Sequence, residues 1–129
     1  MVSQPDNLIK SCILGGGVRA EITDATSHYF GGYYHVAIRI TADIPVVRAA
    51  FDSDPDYQDA VQRLGNTVRF TRDLEKMAVP EGEIVAVRNH LLDSFDTNVL
   101  SYLSRADFAD NFVRSQYRKV LQKNSPGYR

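Results

Sequence analysis

An α+β two-layer sandwich is the fold this sequence predicts, with an antiparallel or mixed sheet of three to four strands and helices on one face. Three observations carry the expectation. A glycine pair joins two runs rich in β-branched and aromatic residues, later stretches repeat apolar residues at helical spacing, and the order is hairpin, helix, strand, helix, helix. With 129 residues, 43% hydrophobic and 24% charged, the chain can bury one sizeable core and is too short for two. Residues 1–124 therefore read as a single domain, and 125–129 as a flexible tail.

From the N-terminus, the first apolar piece is Leu8 to Leu14, interrupted by Lys10 and Ser11. It has no basic start before it and nothing in the chain approaches the roughly 20 apolar residues of a bilayer span, so neither a signal peptide nor a membrane segment is expected. Its spacing fits an edge strand or a helical turn equally well. The lone Cys12 lies there among Ile9, Ile13 and Leu14 and reads as a buried thiol; with no disulfide possible within the chain, a reducing cytoplasm is expected. As a nucleophile it would need an orienting base, and His28, His35 and His90 are all distant in sequence. Gly15-Gly16-Gly17 lacks the Lys-Ser/Thr ending and the following helix of a phosphate loop, and reads as a turn.

The hairpin spans Val18 to Phe30 and Tyr33 to Pro45, with Gly31-Gly32 as a two-residue turn. Counting outward from the glycines places Phe30 opposite Tyr33, Tyr29 opposite Tyr34, His28 opposite His35 and Asp24 opposite Arg39. On that register Tyr34, Val36, Ile38, Ile40 and Ile44 share the core face with Tyr29 and Ala25. Phe30, Tyr33, His28, His35, Thr26, Asp24 and Arg39 then point the other way.

Ser53 or Asp54 caps the next element, Pro55 suits its first turn and Gly65-Asn66 ends it, so a short helix lies between. Val68 to Thr71 alternates as a third strand that can continue to Met77. After Val79-Pro80-Glu81-Gly82-Glu83 the apolar residues from Ile84 to Leu103 fall on one arc, which predicts a helix of some twenty residues, or two pieces divided near Ser94 and Asp96. Ser104-Arg105-Ala106-Asp107 resembles a capping box, and Phe108, Phe112, Val113, Tyr117 and Val120 form the stripe of a last helix fading near Asn124.

A formal charge of −1 selects neither nucleic acid nor an anionic membrane. Residues 111–129 carry Arg114, Arg118, Lys119, Lys123 and Arg129 without an acid, but Asp110 can pair with Arg114 one turn away. The helix dipole also favours cations there, so a solvated face is the better reading. Asp52, Asp54 and Asp56 alternate like calcium ligands, yet Tyr57 and Arg63 stand where a calcium loop needs Gly and Glu, so they read as helix-terminal charges. No cofactor motif is present.

Two constellations remain. Arg88 falls inside the apolar arc of its helix and Arg72 on the face of Val68 and Phe70; together they can clamp an anionic ligand, in a binding domain or an enzyme, although pairing with Glu75, Asp93 or another acid is the plainer reading. The stronger one is His28-Tyr29-Phe30-Gly31-Gly32-Tyr33-Tyr34-His35. Opposed His28 and His35 supply two metal nitrogens at most, short of a zinc set, and a base-stacking platform lacks its basic groove. Exposed His28, Phe30, Tyr33 and His35 fit a protein contact better, with a partner or a second copy of the chain. Cross-strand packing that merely stiffens the tip, under cover of the N-terminal segment, is the competing structural reading. The sequence thus points to a non-enzymatic interaction or assembly module.

Overall fold

A computed structural model describes residues 7–123; the expected tail at 125–129 lies outside them. Five strands form one antiparallel sheet: β1 (Leu8–Ile13), β2 (Arg19–Asp24), β3 (Ser27–Phe30), β4 (Tyr33–Pro45) and β5 (Thr67–Pro80). The central β4 pairs along one edge with β3 near the turn and then with β2, and along the other edge with β5 throughout its length. β1 completes the sheet beyond β2, so the segment whose conformation the periodicity left open is an edge strand. Among the described residues it lies level with Arg19–Thr23.

The alternation of β4 builds the core. Val36, Ile38, Ile40, Ala42 and Ile44 are buried, joined by Ala20 and Ile22 of β2, and all belong to the cluster that includes Leu91, Phe95, Leu103, Phe108 and Val113 of the helices. Each fully buried isoleucine contributes about 1.5–3 kcal/mol. The helices cover only this face, which makes the molecule an α+β two-layer sandwich.

Helix α1 (Asp54–Leu64) begins and ends where its sequence punctuation requires: the Ser53 hydroxyl accepts the Asp56 N–H at 3.3 Å, Pro55 occupies the first turn, and Gly65 follows with φ 85°. Helix α2 (Ile84–Ser94) passes through a π turn (Phe95–Val99) into α3 (Leu100–Leu103), so the apolar arc stays in one helical run rather than splitting at Ser94. The wider turn keeps Phe95, Val99 and Leu103 all buried.

One expected cap is corrected. Ser104 does not start the last helix; its N–H closes the preceding one on the Leu100 carbonyl at 2.8 Å, and α4 (Phe108–Lys123) begins four residues later. The loop between them is gripped by Gly15, which is buried against the backbone of Ser104 and Arg105. The glycine run is therefore a packed contact as well as a turn.

Candidate functional site

The hairpin turn lies at Gly31-Gly32, with Phe30 opposite Tyr33, and Gly31 alone of the two has positive φ, 55°. Behind the tip the expected pairing fails by one residue. Tyr29 is inserted as a bulge, so His28 faces Tyr34, Ser27 faces His35, Thr23 faces Arg39 and Asp24 faces Ile38. A one-residue slip exchanges the faces of a strand, so His28 and Asp24 move to the side of Tyr34 and Ile38, while Phe30, Tyr33 and His35 stay on the open side. Tyr29 is no core residue.

The structure thus separates the two histidines. His28 packs edge-on against Tyr34, ring centroids 5.2 Å apart, and its Nε2–H donates to the Gly31 carbonyl across the turn. His35 meets Glu75 on the open face. Among the described residues no three His, Cys, Asp or Glu side chains gather as a metal site.

The same slip explains Arg88. Asp24 now points toward the helical layer at the margin of the core, and the Arg88 guanidinium of α2 reaches it at 2.9 Å, with the two side chains 29% and 27% exposed. Burial works against the Asp24 charge, but the Thr26 hydroxyl and N–H together with Arg88 outweigh it and hold the carboxyl below its ordinary value. Arg88 is therefore paired, with an acid other than the candidates Glu75 and Asp93. Arg72 stands opposite Ile40 in register but is exposed on β5, and among the described residues no acid pairs with it. No described contact joins the two arginines.

What remains at the tip is apolar and open. Phe30 is 72% exposed, Tyr29 54% and Tyr33 47%. Met77, 49% exposed, stands in a bulge of β5 opposite His35, where Ala78 takes a positive φ of 57°. The bulge sets Val79 against Tyr34 and Pro80 against Tyr33, and the Glu81 N–H donates to the Gly32 carbonyl at 3.1 Å, tying the tip to the start of the helical run. The open sheet face behind the tip is polar: Arg39 holds Asp73 with bonds of 2.8 and 2.9 Å, and Arg69 holds Asp43 at 3.0 and 3.1 Å. The bonds from Arg39 keep the Asp73 carboxyl below its usual range. Tyr29 and Met77 were missed because nothing in local sequence announces a bulge. The charge ladder was missed as well: counting from the turn set Arg39 opposite Asp24, and only the pairing of β4 with β5 brings Arg39 to Asp73 and Asp43 to Arg69.

No protein-family model, no curated protein and no solved structure matches this chain. Cys12 is half-buried and burial pushes its thiol up, away from the reactive thiolate. Asp54 pairs with Arg48 beside the capped start of α1. Arg114 donates to the Ala50 carbonyl at 2.9 Å and to Asn111, so its expected pairing with Asp110 is replaced by a tether across the core. Tyr117 of α4 donates to Asp59 of α1 at 2.7 Å and Arg63 reaches the same carboxylate at 2.9 Å. Its phenol is pushed up to about 12, first by that bond. Among the described residues no helix is long and apolar enough to cross a membrane.

Proposed function

We propose that this domain is a non-enzymatic protein-interaction or assembly module whose contact surface is the exposed aromatic end of the hairpin. The observation that carries the reading is the concentration of Tyr29, Phe30, Tyr33 and Met77 at one end of the sheet, each about half exposed or more. Rings on a short hairpin bring large contact area at little conformational cost, and burying them on a partner recovers their hydrophobic free energy. The contact set differs from the sequence reading by its membership: Phe30 and Tyr33 stay, Tyr29 and Met77 join, and His28 and His35 support the tip through Tyr34, Gly31 and Glu75. An anion clamp is not favoured, because Asp24 holds Arg88 and Arg72 is exposed on β5, two strands from β2. The half-buried, unpaired Cys12 fits a reducing cytoplasm.

The test is the pair Phe30→Glu and Tyr33→Glu, compared with the parent chain in affinity capture of partners from the native cell and in sedimentation. Both side chains are open to solvent, so the fold should survive, checked by circular dichroism. Loss of a captured protein or of self-association supports the tip as contact surface; unchanged capture together with an unchanged mass refutes it.

A further inference from the structure

The outer edge of β5 is the long unpaired edge of this sheet. β5 has 14 residues and pairs, among the described residues, with β4 alone. The opposite edge, β1, has six residues and a bulge between Leu8 and Lys10, which is how proteins blunt an edge against pairing. The bulge of β5 is confined to its far end at Met77-Ala78, leaving Thr67 to Lys76 in regular register. Val68, Phe70 and Leu74 on its core side are only half-buried, whereas their β4 neighbours Ile44, Ala42 and Ile38 are buried.

We propose that β5 pairs antiparallel with β5 of a second copy of this chain, about a twofold axis through Thr71. An axis of this kind keeps each face of the sheet continuous, so it must place residues of one face opposite each other. Centred on Thr71, the three positions on either side are complementary. Arg69 faces Asp73 of the second copy, Val68 faces Leu74, Phe70 faces Arg72, and Thr71 faces itself, a favourable pair in sheets. Arg72, which has no acid to pair with among the described residues, then lies over an aromatic ring.

The pairing also extends the ladder already present. Asp43 and Arg69 of one copy would be followed by Asp73 and Arg39 of the other, a row of four charges alternating in sign, repeated by symmetry. Neighbouring centres lose this. Centring on Arg72 sets two arginines face to face, centring on Asp73 sets two carboxylates face to face, and centring on Phe70 puts Val68 against Arg72.

The experiment is sedimentation of the full chain, followed by a mixing test. The parent chain is expected to show a reversible monomer–dimer equilibrium. Thr71→Lys and Thr71→Asp each place like charges on the axis while leaving the intrachain ion pairs intact, and each should raise the concentration of half-dimerisation at least about fivefold. Mixed in equal amounts the two variants should recover the dimer, because only a register with residue 71 opposite itself brings the new charges together. Tyr33→Glu should leave the dimer unchanged, which separates this interface from the aromatic tip. A parent chain that keeps the mass of one copy at all concentrations overturns the proposal. So does a mixture of folded variants that fails to recover the dimer, or a dimer that Tyr33→Glu dissociates and neither Thr71 variant weakens.

Discussion

Gly15→Ala tests the contact that joins the sheet to the helical layer at its least forgiving point. A Cβ at Gly15 would sit 1.9 Å from the Arg105 carbonyl oxygen, 2.7 Å from its carbon and 3.0 Å from the Ser104 oxygen, where real Cβ atoms do not come closer than 3.0 Å. Every obstructing atom is backbone, so no rotamer change relieves the clash, and the loop between α3 and α4 must move by about 1 Å. Overpacking of this kind costs about 1–3 kcal/mol, and the reduced freedom of the unfolded chain returns only about 0.4–1 kcal/mol. A net loss of about 1.3 kcal/mol is expected, read as a fall in the urea midpoint without change of slope, and as a drop of roughly 5 °C in melting temperature. Gly82→Ala is the matched control: nothing lies within 4 Å and its φ is not positive, so it should be neutral or slightly stabilising. A Gly15→Ala protein as stable as the control would refute the packing on which the placement of α4 depends.

Three further outcomes follow from named contacts. Asp24→Asn should destabilise by about 1–3 kcal/mol near neutral pH, because it leaves Arg88 half-buried without its acid. Since the folded carboxyl titrates below its ordinary value, the stabilisation is present above that value and disappears as pH falls through the folded one; parent and variant melting curves should therefore converge in acid. Tyr117→Phe should remove the phenol that titrates at about 12 from an ultraviolet pH titration and raise the Asp59 carboxyl toward its ordinary value, observed by NMR. At the hairpin turn, Gly31→Ala should cost about 1–2 kcal/mol because its φ is 55°, whereas Gly32→Ala should be close to neutral, since its φ is not positive and nothing lies within 4 Å; equal losses in urea unfolding would contradict the turn geometry.

Much of the architecture could be read locally. The alternation from Tyr34 to Ile44 determines the buried face of β4 whatever its neighbours do, and Ser53, Pro55 and Gly65 bracket α1 through bonds that span at most four residues. The turn at Gly31-Gly32 is equally local. The pairing beyond it was not. A bulge costs little and leaves no composition mark, yet the single extra residue at Tyr29 turned His28 and Asp24 to the other face, dissolving the opposed histidines and creating the partner of Arg88. Arg88 was recognisable as an anomaly because a charge sat on an apolar arc; which acid answered it depended on strand register 64 residues away.

The sequence by itself determined the element types, the inward face of the central strand and the presence of solvent-exposed rings near the turn, because these follow from backbone periodicity and residue chemistry within a few positions. Tertiary structure decided which rings and charges meet: His28 with Tyr34, Arg39 with Asp73, Arg69 with Asp43, and Gly15 against Arg105. Those neighbours are set by strand pairing and by layer packing, whose free energy is summed over the whole sheet, so one inserted residue can redirect a face without altering any local preference.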